Sequence, residues 1–240
     1  MHFNVNCRNI NENQFQSGKS NLDVFVGLTD KLIYKIPFFF DLLSEKEKAR
    51  ALRLKQKSDY NCYVSVHALL RIELSKLLKT DAGSIIFGEF KNGKPFIPDM
   101  ELSFSLSRSK NQFAFVIRRS DQFLGIDIEQ IKTFIDFPAI AKNYFSNDEQ
   151  ELIRSYDNFE DQNRTFFEIW TRKEAFLKAI GVGITTNLTT VNVIEGENNV
   201  EIECLTGKNT SIKILTFLIN RSLISVASSV DFVPEFKYMS

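Results

Sequence analysis

Residues 170–178 read WTRKEAFLK, and this stretch decides how the second half of the chain folds. Its apolar residues recur at helical spacing, and we predict a long helix from about Asp161 to Ile180. Glu174 and Lys178 lie four positions apart, so this helix places both side chains on one face. Taken alone, such a pair is an ordinary surface salt bridge worth about 0.3–0.5 kcal/mol. Whether the pair belongs to a functional site therefore depends on which other side chains lie on that face.

A second acidic pattern occurs upstream, in the strand-like run 123–129, FLGIDIE. Asp127 and Glu129 are two positions apart, so a strand directs both carboxylates to the same face. Two neighbouring carboxylates repel each other unless a cation lies between them or one takes up a proton. A lone pair of this kind is most often a solvated strand face. Together with Glu174, however, the two acids form an all-oxygen set that suits Mg²⁺.

The remaining patterns predict the same order of elements in both halves. In the first half we predict helices over 44–57 and 59–78 and strands over 22–28, 84–90, 102–105 and 112–118. The second half is predicted to contain the strand over 123–129, a short helix opened by a capping box at Ser146, the long helix, and strands over 190–194, 200–205, 211–219 and 223–230. The first 20 residues lack a clear period and predict a poorly ordered start or a short edge strand. This order predicts an α+β fold of two similar units, residues 1–121 and 122–240.

Charge separates the same two halves. The chain of 240 residues has 30 basic and 30 acidic side chains, but residues 1–121 hold 19 basic and 13 acidic ones and residues 122–240 hold 11 and 17. The zero net charge disfavours a uniformly basic nucleic-acid binder. Disorder is disfavoured by 43% hydrophobic residues, including 23 Phe, which are sufficient for a sizeable core.

Cysteine and histidine counts restrict the chemistry further. Three Cys without a CxxC pair disfavour a disulfide scaffold and a structural zinc site, and they fit a reducing, cytoplasmic compartment. Two His leave little from which to build a catalytic triad. No apolar run is long enough to cross a membrane, so we expect no membrane partner. Catalysis by this chain is therefore expected to depend on carboxylates, lysines and a metal.

The first half supplies candidate phosphate ligands. Six basic residues and two acidic ones lie between Ser44 and Lys57, and Arg50 is among the basic ones. Lys94 lies in the turn NGKP at 92–95, and Arg108 follows Ser107 near a strand end. Each of these cations alone is more often solvated than bound to a ligand.

The combination of GIDIE at 125–129 with WTRKEAFLK at 170–178 resembles the two signature motifs of the 4′-phosphopantetheinyl transferases. The segments NGKP at 92–95, FSLS at 104–107 and YFS at 144–146, with Glu149, support this resemblance, which covers about residues 44–184. The length is similar to that of the Sfp-type branch rather than the shorter holo-acyl-carrier-protein synthase branch. The resemblance implies a monomeric pseudo-dimer of two similar α+β halves.

The resemblance also implies a reaction and a set of roles. Members transfer the 4′-phosphopantetheine arm of coenzyme A to a serine of an apo acyl or peptidyl carrier protein and release adenosine 3′,5′-bisphosphate. By matching position, Mg²⁺ would be held by Asp127, Glu129 and Glu174, and Glu174 would also be the base for the serine. Lys178 would neutralise phosphate charge, and Lys173 would lie beside the metal. The nucleotide end would be lined by Arg50, Lys94, Ser107 and Arg108.

Three positions depart from the family pattern. Arg108 stands where many members have His, Cys62 where several have a basic residue, and Glu47 where some have a basic residue. These departures concern the nucleotide end and not the acids. Two other functions stay open: another Mg²⁺-dependent phosphotransferase or hydrolase, and a degenerate member that binds a carrier protein without turnover.

Overall fold

The computed structural model describes residues 20–91, 93–119, 123–132, 136–182, 188–194 and 211–240. Contacts divide the chain into two compact units, one around Leu22–Asp121 with Pro234–Ser240 and one around Gln122–Val233. We call them the 22–121 unit and the 122–233 unit. The predictions for residues 1–19 and for a strand over 200–205 lie outside the described residues. No described helix is both long and apolar enough to span a membrane.

The 22–121 unit combines three helices with an antiparallel sheet, and the longest helix packs on the sheet. Its elements are β1 (Ser20–Leu28), α1 (Ile36–Asp41), α2 (Glu45–Leu52), α3 (Lys57–Leu78), β2 (Gly88–Glu89), β3 (Pro95–Phe96), β4 (Ser103–Ser109) and β5 (Gln112–Arg118). The last strand, β9 (Phe232–Met239), completes a sheet of order β4-β5-β1-β9, and β2 pairs with β3 separately. Leu70 and Leu74 of α3 are fully enclosed in a core with Phe113 and Phe115 of β5.

Two predictions for this unit are wrong in extent. The capping box at Ser44 is present, but α2 ends at Leu52 rather than at about residue 57, because the next helix, α3, begins at Lys57 and residues 53–56 connect the two helices. The predicted strand over 84–90 is reduced to β2. The carbonyls of Ala82 and Ile85 accept hydrogen bonds from Arg71 instead of from a neighbouring strand.

The 122–233 unit has the same kind of architecture. Its elements are β6 (Leu124–Gln130), α4 (Phe137–Tyr144), α5 (Asn147–Arg154), α6 (Phe159–Ile180), β7 (Lys213–Ile219) and β8 (Ser222–Ser228). The antiparallel sheet has the order β6-β8-β7 and places Asp127 opposite Ser225. Helix α6 packs on β6 and β8 and ends at Gly181, whose φ of 74° is a left-handed value that favours glycine.

Two elements were not predicted from the sequence, α4 of this unit and β9 of the 22–121 unit, and one predicted strand of this unit is wrong. Helix α4 was not predicted, although Pro138 is compatible with its first turn. Strand β9 was not predicted either. The predicted strand over 190–194 is wrong, because Leu188–Thr190 form a 3₁₀ turn and the residues after it are not in a strand. The carbonyls of Leu188 and Val191 accept hydrogen bonds from Lys173.

The two units repeat one frame at a spacing of 102 residues. Capping boxes begin at Ser44 and Ser146, and helices of 22 residues, α3 and α6, begin at Lys57 and Phe159. The fifteenth residue of each helix is a buried cation, Arg71 or Lys173, paired with the glutamate of the preceding capping box. Each cation also binds two backbone carbonyls. This repetition confirms the predicted α+β fold of two similar units.

Candidate active site

The acid cluster forms where β6 meets α6. The alternation of β6 places Gly125, Asp127 and Glu129 on the face that α6 covers. Lys178 Nζ lies 2.7 Å from Asp127 Oδ1, in an ion pair in which the aspartate is 4% exposed. Asp127, Glu129 and Lys178 all act electrostatically on Glu174. The structure therefore brings together the four residues that the two motifs contributed.

Gly125 allows α6 to pack against β6 at this point, because the two elements are too close together to accommodate a side chain. A Cβ at this position would lie 2.0 Å from the carbonyl oxygen of Ala175 and 2.4 Å from the amide nitrogen of Ala179. Both atoms are helix backbone, so they cannot move aside as a flexible side chain would. The sequence motifs predict no role for Gly125, and the only sequence signal for one is a glycine inside a strand.

Replacing Gly125 by Ala is expected to destabilise the protein by about 1–3 kcal/mol, because α6 must move away from β6. Urea denaturation measures the change. Gly83→Ala is the matched control, because a Cβ there meets only Asp81 Oδ2 at 3.5 Å, an ordinary contact. Equal stabilities for the two variants would contradict the close approach.

Glu174 is half-buried, and its pKa is raised to about 7. Burial is the main cause, and the carboxylates of Asp127 and Glu129 add to it, while Lys178 opposes it. The Oε1 atom of Glu174 is buried and has no hydrogen-bond partner among the described residues. A carboxyl group in this position calls for a proton or a cation.

The cluster fits magnesium by its donor chemistry, although it is not a ready-made metal group. Within the described ranges, no three His, Cys, Asp or Glu side chains are grouped so that they could hold a metal ion. The available donors at the cluster are carboxylate oxygens, which Mg²⁺ prefers. The unpartnered Oε1 of Glu174 supplies one buried oxygen for a cation.

The raised pKa predicts how the metal-free protein responds to pH. Because the pKa of Glu174 is about 7 in the folded protein and ordinarily 4.5, this group's contribution to stability is complete below pH 4.5 and is lost as pH rises through 7. Between pH 5.5 and pH 8 the loss should be about 2 kcal/mol. Urea denaturation in a chelator should show this loss in the wild type and not in Glu174→Gln. An identical pH dependence in both proteins would contradict it.

Lys173 does not lie where the resemblance placed it. Its side chain is fully buried, and its Nζ lies 2.8 Å from Glu149 Oε2 and 2.7 Å from the carbonyl oxygen of Leu188. Burial lowers the pKa of Lys173, and the charge of Glu149 opposes that shift. These contacts do not fit a residue beside the metal. They make Lys173 an internal anchor of α6, and the recurring spacing of 24 residues in Glu47–Arg71 and Glu149–Lys173 was the signal for it.

The basic candidates lie in the 22–121 unit. Arg50 is exposed on α2, while β4 carries a buried Ser107 and a half-buried Arg108. Lys94 directly precedes β3, and burial lowers its pKa to about 8. The charges of Arg50 and Arg108 both act on Tyr63 of α3, which brings these two arginines into one neighbourhood. Asn92 of the NGKP turn lies outside the described residues.

Comparison with known proteins defines the class. The model of the 4′-phosphopantetheinyl transferase superfamily matches residues 123–227, which contain the whole acid cluster. The chain is 35% identical to the 4′-phosphopantetheinyl transferase HetI of Nostoc sp., over 59% of this chain and 61% of that protein. It is 30% identical to the 4′-phosphopantetheinyl transferase Sfp of Bacillus subtilis, over 69% of this chain and 72% of that protein. The chain therefore belongs to the 4′-phosphopantetheinyl transferase superfamily.

The matches differ in extent. The chain spans less than two thirds of HetI and more than two thirds of Sfp. A crystal structure of Thermotoga maritima holo-[acyl-carrier-protein] synthase is 16% identical, covers 46% of this chain and 64% of that one, and has a TM-score of 0.32. That likeness is too low to add to the fold described above.

Proposed function

We propose that the protein transfers the 4′-phosphopantetheine arm of coenzyme A to a serine of an apo carrier protein and releases adenosine 3′,5′-bisphosphate. The observation that carries the proposal is Glu174, which lies in the family motif beside the Asp127–Lys178 ion pair and has a buried Oε1 atom without a hydrogen-bond partner among the described residues. A buried carboxylate oxygen without a partner is available to take up a proton or to bind a cation.

Glu174 is assigned as the base, directly or through a water molecule. The serine hydroxyl gives its proton to the carboxylate as its oxygen attacks the phosphorus next to the pantetheine arm. The bond from that phosphorus to the bridging pyrophosphate oxygen breaks, and adenosine 3′,5′-bisphosphate leaves with the bonding pair. A hydroxyl is a weak nucleophile, so the step needs a base at hydrogen-bonding distance.

Charge stabilisation is assigned to the rest of the cluster. Asp127, Glu129 and Glu174 would hold Mg²⁺, which when bound supplies positive charge to the pyrophosphate. Lys178 adds a second cation, and its ion pair with Asp127 holds the ammonium group at the cluster. Phosphoryl transfer depends mainly on such positioning and charge stabilisation.

The nucleotide end of coenzyme A is assigned to Arg50, Lys94, Ser107 and Arg108. An arginine at 108 can grip a phosphate with two parallel hydrogen bonds and keeps its charge at every pH at which proteins are folded. A histidine at this position would be charged only below about pH 6.5. Arginine at position 108, in place of the histidine of many members, therefore provides a phosphate ligand whose charge does not depend on pH near neutrality.

The proposal also includes the partners, the compartment and the oligomeric state of the protein. Coenzyme A is the donor, an apo acyl or peptidyl carrier protein is the acceptor, and the protein acts as a cytoplasmic monomer. The zero net charge disfavours a nucleic-acid partner.

The decisive experiment incubates the protein with coenzyme A, Mg²⁺ and a panel of apo carrier proteins and then weighs the carriers. A mass gain of one phosphopantetheine arm supports the proposal. Loss of phosphate from coenzyme A without any gain favours another phosphotransferase or hydrolase. Carrier binding without either change favours the degenerate member, provided that a related active enzyme modifies the same carriers.

A further inference from the structure

A series of hydrogen bonds joins α6 to the sheet of the 122–233 unit. Ser225 Oγ of β8 donates to Thr171 Oγ1 of α6 at 3.0 Å, and it also lies 3.0 Å from Thr216 Oγ1 of β7. Arg172 Nε donates to the same Thr216 oxygen at 3.0 Å. The Thr171 hydroxyl donates to the carbonyl oxygen of Phe167 at 3.0 Å. Side chains from one helix and two strands are therefore linked in series.

The direction of each hydrogen bond in this series is fixed by its chemistry. A guanidinium can only donate, so Thr216 accepts from Arg172 and uses its own proton for Ser225. Ser225 in turn donates to Thr171, and Thr171 donates to the backbone. Each of the three hydroxyls both accepts and donates, and Thr171 and Ser225 are fully buried. A buried network in which every member is satisfied favours one arrangement of its side chains.

The arginine end of the series is held on several sides. The Arg172 side chain is largely buried, and its Nη1 donates to the carbonyl oxygens of Val193 and Ile194 at 3.1 and 2.7 Å. Its Nη2 forms an ion pair with Glu168 one turn earlier on α6. The guanidinium cannot turn without losing these partners, so it presents Nε to Thr216 in one direction.

The bond between Thr171 and Ser225 lies beside the acid cluster. Ser225 stands directly opposite Asp127 in the pairing of β8 with β6, so both side chains lie on the face that α6 covers. Thr171 precedes Glu174 by three positions, which places the two side chains about 60° apart around the helix. A rotation of α6 that broke the bond to Ser225 would therefore also turn Glu174 relative to Asp127.

The unit that lacks the three acids has leucines at the corresponding positions of its long helix. At the spacing of 102 residues, Thr171 corresponds to Leu69 and Arg172 to Leu70, and both leucines are buried in an apolar core. Apolar side chains of similar shape can replace a buried hydrogen-bonded pair at little cost in stability, so stability alone does not require the network. Apolar packing is non-directional, whereas a hydrogen bond sets a distance and an angle. The network therefore occurs on the helix that carries a carboxyl group at the acid cluster.

We propose that Thr171 and Ser225 are positioning residues, whose hydrogen bond holds α6 in the rotation that keeps Glu174 at the acid cluster. This inference rests on the proposed function, in which Glu174 is the base and a ligand of Mg²⁺. Both roles require a carboxylate held to within about 0.5 Å of its working position. Gly125 permits the close approach of α6 to β6, and the Thr171–Ser225 bond sets how the helix is turned.

The test compares the wild type with Thr171→Val, which keeps the shape but removes the hydroxyl, and with Thr171→Ser, which keeps the hydroxyl. Mg²⁺ is titrated calorimetrically into the protein with coenzyme A present, with coenzyme A alone as the blank. Thr171→Val should raise the Kd for Mg²⁺ and lower the kcat of arm transfer, each about tenfold, with little change in the KM for coenzyme A. Thr171→Ser should retain both values. Ser225→Ala should reproduce Thr171→Val, and the two changes together should add little further loss.

Ser222→Ala is the matched control on the same strand. Ser222 is fully buried, and its Oγ has no hydrogen-bond partner among the described residues, so its loss should change neither the Kd for Mg²⁺ nor kcat. A Thr171→Val protein that is less stable but has unchanged Kd and kcat would show that the network only supports the fold, and would overturn the inference. Equal effects of Thr171→Val and Ser222→Ala would overturn it as well.

Two further outcomes keep the inference separate from the proposed function. If Thr171→Val fails to fold, Ser225→Ala decides by the same two measurements. A wild type that binds no Mg²⁺ would overturn the inference whatever the transfer assay shows. Absence of transfer by the wild type, together with the expected rise in the Kd for Mg²⁺ in the variants, would count against the proposed function and support the positioning of Glu174.

Discussion

Replacing Glu174 by Gln is expected to slow arm transfer by roughly 10²–10⁴-fold while the protein stays folded. Glutamine has the same shape but accepts no proton at neutral pH, so the serine loses its proposed base and the proposed metal site loses one carboxylate. The fold should not suffer, because the change removes a carboxylate that Asp127 and Glu129 repel. The rate is measured at saturating coenzyme A and Mg²⁺ by the mass of the carrier, and folding is checked by circular dichroism.

Glu160→Gln is the matched control for this change. Glu160 lies on the same helix, α6, but is exposed in its first turn, away from β6. Its loss should cost a few tenths of a kcal/mol through the helix dipole and leave turnover intact. If Glu174→Gln turned over as fast as Glu160→Gln, Glu174 could not be the base.

Replacing Lys173 by Met is expected to lower the free energy of unfolding by about 3–5 kcal/mol. The change leaves the Glu149 carboxylate, which is fully enclosed, without its cation. It also removes the donor to the carbonyls of Leu188 and Val191. Methionine fills similar space, so the loss reports the broken pair rather than a cavity. Urea denaturation measures it.

Lys76→Met is the matched control for this change, because it breaks an exposed ion pair instead of a buried one. Lys76 lies on α3 and pairs with Glu73 at 2.6 Å, but its side chain is 62% exposed. Removing it should change stability by less than about 1 kcal/mol. A loss at Lys173 as small as the loss at Lys76 would mean that the Glu149–Lys173 pair does not anchor α6.

The parts of the fold that depend on neighbours in sequence could be predicted. The capping boxes at Ser44 and Ser146 are local patterns, and both are present in the structure. The long helices were predicted to within two residues for the same reason. In the predicted strands over 84–90 and 190–194, which the structure does not form in full, the carbonyls of Ile85 and Val191 accept hydrogen bonds from distant cations. No local sequence pattern shows that a cation on a distant helix, Arg71 or Lys173, will donate hydrogen bonds to those carbonyls.

The same distinction applies to the site. Asp127 and Glu174 could be paired from their motifs, because strand alternation and helical spacing fix the faces of their own elements. Lys173 is adjacent to Glu174 in sequence, yet one helical step turns it by about 100°, and it points into the core instead. The role of Gly125 depends on how closely α6 approaches β6. Only the assembled unit sets that distance.

Because the two units repeat one frame at a spacing of 102 residues, the 22–121 unit shows which residues occupy the positions of the three acids in a unit that lacks them. The positions in the 22–121 unit that correspond to Asp127, Glu129 and Glu174 are occupied by Phe25, Gly27 and Ile72. That copy forms the same strand and the same helix without any carboxylate at those positions. The architecture is therefore independent of the chemistry. The capping boxes and their buried cations occur in both copies, whereas the three carboxylates occur in one.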